Sequence, residues 1–433
     1  MAHPSPNILF IQVDQLTASM LGTYGSQVAD TLNLDALGRS GVVFDSAYTN
    51  FPLCAPSRFS MMSGQLASRI GAYDNGAEFL SSIPTFAHYL RALNYQTCLV
   101  GKMHFVGADQ LHGFEERLTT DIYPADFNWT GDWTEAKPKH SNDPRTFAGA
   151  GVCIRNVQME YDEEVSHRTK RKLYDLAKKY AGPGGENAEF RDSLDTRPFL
   201  LVASFSHPHD PYQCSQVHWD RYEHSKVDMP VVGSIPMDEM DPYSRRLMVQ
   251  YGMESFTPTE EQIRVARHAY YGSVSYVDDQ VGALLGVLKE TGLEKNTVVI
   301  FTTDHGDMLG ERGMWYKKSF FEASARIPLI IRIPDKPGRR VSQNVSLVDL
   351  LPTLMEMAGD KSGNSGVRVE PIDGESLCSL MDGNTESWSD TVYGENTAEG
   401  AESPVLMVRH GTLKYIFSGI DPDQLFDLAR DPP

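Results

Sequence analysis

The sequence predicts an α/β protein: a large mixed, mostly parallel sheet flanked by helices, followed by a small C-terminal antiparallel α+β subdomain. Two observations predict this fold class. Short apolar runs alternate with helical patterns as far as about residue 333, which is typical of a parallel sheet covered on both faces. After residue 390, strand-like runs follow one another without a helix between them. We therefore expect a large domain over residues 1–335 and a subdomain over residues 336–433.

The predicted strands of the large domain share one feature: a polar cluster follows the apolar run directly. The clearest cases are Ile8 to Val13 before Asp14-Gln15, Cys98 to Val100 before Lys102, Phe199 to Phe205 before His207, and Val298 to Phe301 before Asp304-His305. Ligands of open α/β sheets bind outside the carboxyl ends of the strands. We therefore expect these clusters to share one crevice.

The clearest helical pattern begins at a predicted capping box, Thr257 to Glu260, with Pro258 at the first helical position, and ends at Gly292. Its apolar residues recur at helical spacing: Ile263, Ala266, Tyr270, Val274, Val277, Val281, Leu284 and Leu288. A second helix is predicted from Leu347 to Gly359. Strands are predicted over residues 392–395, 405–409 and 413–417, the last two joined by a short connection containing Gly411.

The composition excludes several classes of protein. The 433 residues include 39 Lys plus Arg against 58 Asp plus Glu, a net charge of −19 without a basic block, which argues against a nucleic-acid partner. No apolar run approaches the ~18 residues of a membrane span, and no signal peptide is expected at the N-terminus. The five scattered cysteines suit a reducing compartment, so we expect a soluble cytoplasmic protein.

The pentapeptide from Cys54 to Arg58, Cys-Ala-Pro-Ser-Arg, is the most informative motif. A lone cysteine is most often a small buried apolar residue. Here Pro56 fixes the backbone, and the run after Arg58 has the character of a helix, which places Cys54 near a helix N-terminus where anions are favoured. The motif therefore marks a candidate anion site.

The C-x-P-x-R pattern resembles the sulfatase family of the alkaline phosphatase superfamily. Further motifs occur in the order that this family uses: Asp14-Gln15, Gly101-Lys-Met-His104, Ser206-His-Pro-His-Asp-Pro211, Thr303-Asp-His-Gly306 and Lys317. The resemblance implies that a formylglycine-generating enzyme converts Cys54 into formylglycine. The hydrated aldehyde has two hydroxyl groups on one carbon, so one attacks sulfur and the other later expels sulfate.

The resemblance also implies a divalent metal site. Its ligands would be Asp14, Gln15, Cys54, Asp304 and His305. Such donors suit Ca²⁺, Mg²⁺ or Mn²⁺. Taken alone, Asp14 is equally well explained as a helix N-cap, and Asp304 with His305 as a polar loop. Gln15 stands where many arylsulfatases carry a second Asp, so the identity of the metal stays open.

By family position, Arg58 would neutralise the nucleophile and Lys102 would orient the aldehyde. His104 would take the proton during sulfate release, and Asn75 would hydrogen-bond a sulfate oxygen. His207 and Lys317 would hold sulfate and protonate the leaving oxygen. Alone, each of the two lysines and two histidines is more often a solvated side chain, but together they supply the positive charge that a dianionic transition state requires. His209 and Asp210 receive no catalytic role and are expected to support neighbouring residues.

Within the family, residues 73–75, 109–126 and 306–315 resemble the choline sulfatases, which implies choline-O-sulfate as the substrate. A quaternary ammonium is held by aromatic faces near a carboxylate. Trp129 is the first choice for such a ring, within a cluster that also contains Tyr123, Phe127 and Trp133. The plain alternative is a hydrophobic anchor for this loop. Asp126 and Asp132 lie beside this cluster, and Glu399 follows them as a candidate for the carboxylate, ahead of Glu395.

Two alternatives stay open. One is a phosphonate monoester or phosphodiester hydrolase of the same superfamily, and the other is a non-catalytic protein that binds choline esters. The sequence ends at Pro433, whereas the resemblance implies a C-terminal tail that packs on a neighbouring subunit and contributes to its choline pocket. A homo-oligomer is therefore one expectation, with the choline affinity left open.

Overall fold

The computed structural model describes residues 5–127, 142–178, 195–360 and 366–430. Its strands are β1 (Asn7–Val13), β2 (Val42–Tyr48), β3 (Gln96–Gly101), β4 (Glu116–Arg117), β5 (Gly151–Val152), β6 (Phe199–Ser204), β7 (Gln213–Cys214), β8 (Thr297–Thr303), β9 (Arg326–Ile327), β10 (Leu329–Arg332), β11 (Arg339–Ser346), β12 (Thr391–Asn396), β13 (Val405–His410), β14 (Leu413–Ser418) and β15 (Gln424–Asp427).

The helices are α1 (Leu32–Ser40), α2 (Cys54–Ser63), α3 (Ala67–Ile70), α4 (Phe86–Ala92), α5 (Arg145–Ala148), α6 (Val157–Ala177), α7 (Gln216–Trp219), α8 (Pro242–Gln250), α9 (Glu260–Glu290), α10 (Glu322–Ala325), α11 (Leu350–Met357) and α12 (Cys378–Asp382). None of these helices, within the described ranges, combines the length and the hydrophobicity needed to cross a bilayer.

The predicted fold class is confirmed: a large mixed sheet has the strand order β11-β2-β10-β8-β1-β6-β3-β4, with β9 paired to β2. The four consecutive strands β8, β1, β6 and β3 are mutually parallel. Their carboxyl ends therefore meet at one edge of the sheet. This edge carries all four predicted polar clusters, as expected for one crevice.

Both faces of the sheet are covered, which explains why its central strands are apolar throughout. On β1, Ile8 and Phe10 belong to the core cluster that contains α2 and α11, while Leu9 and Ile11 belong to the cluster with α6 and α9. All four side chains are fully buried. Alternate side chains of β1 thus pack against opposite helical layers, and the sheet lies between these two layers.

The chain division predicted after residue 335 does not coincide with a change of sheet. Strand β11 pairs in parallel with β2 and extends the large sheet. The separate antiparallel sheet has the order β12-β13-β14-β15 and begins at Thr391. Strand β15 was not predicted, because its four residues have no clear alternation and are at most partly buried.

The capping box of the long helix α9 lies two residues later than the sequence predicts, at Thr259 instead of Thr257. Thr259 is the N-cap: its Oγ1 accepts the Gln262 amide at 3.2 Å, and Gln262 Oε1 accepts the Thr259 amide at 2.8 Å. The reciprocal pair satisfies two backbone donors at the helix start. Pro258 consequently precedes the cap rather than following it.

Candidate active site

Cys54 is the first residue of α2 and lies at the centre of the crevice, 1% exposed. Its Sγ lies 3.3 Å from His305 Nε2, 3.9 Å from Asp14 Oδ1 and 3.9 Å from Lys102 Nζ. The next residue donates its amide to Asn75 Oδ1 at 3.0 Å. The first turn of α2 thus aims at the crevice, and Asn75 is held beside it.

The surroundings of Cys54 favour a negative charge. Burial alone raises the pKa of a thiol, but Lys102, Lys317 and His305 outweigh it and hold the pKa of Cys54 well below its ordinary value. His104 adds a hydrogen bond that acts in the same direction. A site that stabilises a thiolate this strongly also stabilises an oxyanion at the same position.

Arg58 lies one turn along α2 and connects several parts of the site through hydrogen bonds. Its guanidinium donates to Asp14 Oδ2 and to Asp304 Oδ2, both at 2.8 Å. It also donates to the Lys102 carbonyl at 2.6 Å and to Ser204 Oγ at 3.0 Å. These partners come from the ends of all four parallel strands. Arg58 is completely buried and therefore fixes the strand ends relative to one another.

Asp14 and Lys102 form a second buried ion pair, with Lys102 Nζ 2.5 Å from Asp14 Oδ2. Burial opposes both charges, yet the cations around Asp14 hold its pKa well below the ordinary value. Asp14 and Cys54 correspondingly raise the pKa of Lys102. Both groups are therefore charged at neutral pH.

Four side chains could hold a metal ion: Asp14, Cys54, Asp304 and His305 each offer a ligand atom, and these atoms lie within 4.8 Å of one another. His305 Nδ1 donates to the Gly306 carbonyl at 3.0 Å, so Nε2 is the nitrogen that faces the site and, when the ring is neutral, offers a lone pair to a metal ion. Asp304 Oδ1 is oriented by the backbone amides of Gln15 and His305. The donor set therefore fits a divalent cation.

Both ends of the side-chain amide of Gln15, the remaining predicted ligand, are hydrogen-bonded. Its Nε2 donates to Asp307 Oδ2 at 2.6 Å and to Asp210 Oδ1 at 3.3 Å, and its Oε1 accepts a hydrogen bond from Lys317. Gln15 has a φ of 64° and is fully buried. In this structure, its side chain links Lys317 to Asp307.

The histidines of the β6 loop contact different parts of the molecule. His209 Nε2 lies 2.7 Å from Lys317 Nζ, and His209 Nδ1 donates to the Asp210 carbonyl at 2.7 Å. His207 instead bonds Asp162 of α6 and packs its ring 4.8 Å from that of Tyr276. The structure thus brings His209 to Lys317, and it does not bring His207 there.

Glu399 reaches the site from the loop after β12. Its Oε1 pairs with Lys318 Nζ at 2.7 Å, and Lys318 also donates to Asn142 Oδ1 at 3.0 Å. Glu399 is 6% exposed, and its Oε2 is buried without a hydrogen-bond partner in the described part of the chain. The loop after β12 therefore brings to the site a carboxylate that pairs with Lys318 through one oxygen, while its other oxygen is not hydrogen-bonded by any described residue.

Of the predicted aromatic residues, Tyr123 lies in the site. Lys102 Nζ is 4.3 Å from its ring centroid, and the His104 ring is 5.1 Å away. Trp129 and Trp133 lie outside the described residues. Phe127 is 57% exposed. A cage built on Trp129 stays a prediction.

Sequence reasoning missed three residues of this site: Lys318, Asp307 and the site-facing role of His209. Lys318 follows Lys317 directly, and Asp307 follows the Thr303 to Gly306 motif, so proximity to a motif was a usable signal. For His209 no comparable signal exists, because two histidines in one loop have equal patterns. Together the described residues make a buried cationic site around a nucleophile, which suits hydrolysis of an anionic ester.

The comparisons with known proteins agree with this chemistry. A model of the sulfatase family matches residues 6–360, and a model of the N-sulphoglucosamine sulphohydrolase C-terminal region matches residues 310–433. The choline-sulfatase of Rhizobium meliloti (strain 1021) is 45% identical over 437 residues, which cover 100% of this chain and 82% of that protein. The arylsulfatase of Clostridium perfringens is 28% identical, covering 99% and 89%.

Solved structures agree on the fold. The phosphonate monoester hydrolase of Agrobacterium radiobacter superposes with a TM-score of 0.72 at 22% identity, covering 99% of this chain and 90% of that chain. A putative sulfatase from Bacteroides thetaiotaomicron gives 0.71 at 24% identity, covering 99% and 86%. At this identity the likeness concerns the fold alone.

Proposed function

The chain belongs to the sulfatase family, whose members hydrolyse sulfate esters, and from that premise we propose that its substrate is choline-O-sulfate, which it cleaves to choline and sulfate. The observation that carries the substrate is the 45% identity to a choline-sulfatase over the full chain. The phosphonate monoester hydrolases share the fold at 22% identity, which gives no support for their reaction here.

Cys54 is the residue that we propose to be converted into formylglycine. When present, this group supplies a hydrated aldehyde whose hydroxyl attacks sulfur. The surroundings of Cys54 suit it, because Lys102, Lys317 and His305 favour negative charge at the position of Sγ. Asn75, held against the first turn of α2, would donate a hydrogen bond to a sulfate oxygen.

The same surroundings would bind the sulfate group. Lys102 and Lys317 are fully or almost fully buried, so their charges act in a medium of low polarity and attract an anion strongly. Arg58 is occupied by four acceptors and therefore orients the site rather than binding the ester. His104, hydrogen-bonded to Cys54, would accept the proton that must leave the nucleophile's position.

Protonation of the leaving oxygen falls to the pair of Lys317 and His209. Because His209 Nδ1 donates to the Asp210 carbonyl, Nε2 accepts a proton shared with Lys317 Nζ. The pair thus holds a mobile proton between two nitrogen atoms inside the site. An alkoxide such as that of choline is a poor leaving group, so this proton must be given up as the bond to sulfur breaks.

Asp14, Asp304 and His305, with the group at position 54, would hold a divalent metal, with calcium as the proposed ion. Such an ion supplies positive charge that lowers the pKa of a bound hydroxyl and stabilises developing negative charge. Gln15 would join this set through Oε1, which accepts a hydrogen bond from Lys317 in this structure.

The observation that supports a choline site is the buried Oε2 of Glu399, which is not hydrogen-bonded by any described residue. A trimethylammonium group donates no strong hydrogen bond, so it requires a nearby negative charge and apolar or aromatic contact. Lys318 contacts the Glu399 carboxylate through Oε1 and leaves Oε2 available to a ligand. We place the ammonium group beside Oε2, with Trp129 as the proposed aromatic partner.

The setting of the enzyme is part of the proposal. All five cysteines are free thiols, as is typical of a reducing compartment, so we propose a cytoplasmic enzyme whose Cys54 is modified by a formylglycine-generating enzyme.

Hydrolysis of choline-O-sulfate, an aryl sulfate and a phenyl phosphonate ester tests the proposal, with release of sulfate measured for the two sulfate esters and release of phenol for the phosphonate. Enzyme produced together with a formylglycine-generating enzyme is compared with Cys54→Ala, and peptide mass spectrometry measures the conversion of Cys54. We expect choline-O-sulfate to be hydrolysed with the highest kcat/KM and Cys54→Ala to be inactive. A preference for the aryl sulfate or the phosphonate by fully converted enzyme would refute the substrate.

A further inference from the structure

Asp162 is a buried carboxylate outside the catalytic cluster that accepts four hydrogen bonds from one loop. It lies on α6 and is 0% exposed. Its Oδ1 accepts the Ser206 amide at 2.7 Å and Ser206 Oγ at 3.0 Å. Its Oδ2 accepts the His207 amide at 2.9 Å and His207 Nδ1 at 2.7 Å. Every one of these donors belongs to Ser206 or His207.

The loop held by Asp162 supports the site at two points. The carbonyl of His207 accepts the Asp14 amide at 3.2 Å, which fixes the backbone of a proposed metal ligand. Two residues further on, His209 contacts Lys317, and its own amide is tied to the Ser206 carbonyl at 3.2 Å. A displacement of Ser206 and His207 would therefore move both Asp14 and His209.

A second loop of the same edge, which also carries a site residue, has the same construction. Asp121 Oδ2 accepts the amides of Met103 and His104 at 2.9 and 2.7 Å, and Arg117 donates to that oxygen at 3.1 Å. In both loops a carboxylate accepts two consecutive amides directly after a strand of the parallel sheet. In both, the loop carries a histidine to the crevice.

We propose that Asp162 is a positioning residue for sulfate-ester hydrolysis, which acts through the loop of Ser206 and His207 on His209 and Asp14. The carboxylate is required because all four groups that face it are donors. An amide in its place would present an NH₂ group to donors on one side and release that part of the loop. The proposal rests on hydrolysis of a sulfate ester and is independent of choline as the alcohol.

Asp162→Asn tests it, with Asp278→Asn as a matched control. Asp278 is a buried carboxylate on α9 that also accepts two consecutive amides, those of Asn33 and Leu34, at 3.1 and 2.7 Å. It binds the start of α1 and contacts none of the residues of the site. Each substitution therefore removes a buried carboxylate that accepts two consecutive backbone amides, one beside the site and the other at the start of α1.

Both variants should lose thermal stability. We expect kcat to fall about 10–100-fold in Asp162→Asn, as for other residues that orient a catalytic group, with KM within about threefold of the wild type. Asp278→Asn should keep the wild-type kcat. The substrate is whichever sulfate ester the wild type hydrolyses, so failure of choline-O-sulfate alone leaves this test intact.

Equal kcat values in the two variants would overturn the proposal, because Asp162 would then only stabilise the fold. A raised KM at unchanged kcat would overturn it as well. If Asp162→Asn does not fold, Asp162→Glu replaces it, since it keeps the charge but moves the carboxylate by one methylene. A folded Asp162→Glu with lowered kcat supports the proposal, and one with wild-type kcat contradicts it.

Discussion

His207 and His209 lie two positions apart in one loop, yet their rings are fixed by different partners. The Nδ1 of each ring has an acceptor of its own, Asp162 for His207 and the Asp210 carbonyl for His209. The surroundings of the other ring nitrogen, Nε2, determine what each histidine can do. In His209 it faces Lys317, whereas in His207 it is buried beside the ring of Tyr276. The geometry therefore supports the proposed proton transfer at His209 and not at His207.

Replacing each of these histidines with asparagine tests this assignment. His209→Asn loses the nitrogen that shares a proton with Lys317, so we expect kcat/KM to fall about 10²–10⁴-fold. In His207→Asn the side-chain amide keeps a donor close to the position of Nδ1, so the bond to Asp162 can persist and kcat/KM should stay within about tenfold. Steady-state kinetics of both variants give the answer, and the reverse order of effects would contradict the assignment.

Glu399 offers the second test at this scale. In Glu399→Gln the negative charge beside the proposed ammonium position is lost, and we expect KM for choline-O-sulfate to rise about tenfold. The KM for 3,3-dimethylbutyl sulfate, in which carbon replaces the ammonium nitrogen, should not rise. Michaelis kinetics with both esters measure the difference.

Glu395→Gln is the matched control for Glu399→Gln. Glu395 lies on the same part of the chain, but both of its oxygens are bound to Ser68, through the amide at 2.8 Å and Oγ at 2.7 Å. This variant should leave both KM values unchanged. An equal rise of KM for the two esters in Glu399→Gln would count against an ammonium contact.

At the scale of elements, the sequence could predict the strands that build the site, because polar residues directly after fully apolar runs mark strand ends. It could not predict how side chains pair across the crevice. The contact of Glu399 with Lys318 joins residues 81 positions apart, and no local pattern records it. Nor could it distinguish His207 from His209, because periodicity reports burial and says nothing of which partner a buried ring meets.

The start of α11 yields a prediction on pH. Asp349 is buried, and burial raises its pKa to about 7, against the hydrogen bonds from Glu375 and Ser346. Between pH 3.8, which is the ordinary pKa of this carboxyl, and about pH 7, Asp349 binds more protons in the folded state than in the unfolded state. The contribution of this group to stability therefore falls as the pH rises through that window.

Asp349→Asn removes this titration. We expect the thermal midpoint of the wild type to exceed that of the variant by more at pH 5 than at pH 8. Scanning calorimetry of both proteins at the two pH values measures the difference. Identical differences at both values would show that Asp349 does not gain protons on folding.

The whole molecule combines a net charge of −19 with a site lined by Lys102, Lys317, Lys318 and Arg58. The acidic surface repels anions at long range, while the buried cations attract them once they enter. Choline-O-sulfate is a zwitterion without net charge, so it approaches such a surface without repulsion. A simple alkyl sulfate has a charge of −1 and is repelled.

This contrast predicts that the KM values of the two esters respond to salt to different extents. The Debye length falls from about 30 Å at 0.01 M to about 8 Å at 0.15 M ionic strength, so added salt screens the acidic surface more than the buried lysines. For 3,3-dimethylbutyl sulfate we expect KM to fall on the order of 2–5-fold between these conditions. For choline-O-sulfate, which has the same shape, KM should change less than this, and kcat should be constant for both esters. Initial rates at the two ionic strengths, with the metal concentration fixed, measure it. A parallel fall of both KM values would mean that salt acts on the site itself, and the acidic surface would then have no part in selecting the zwitterion.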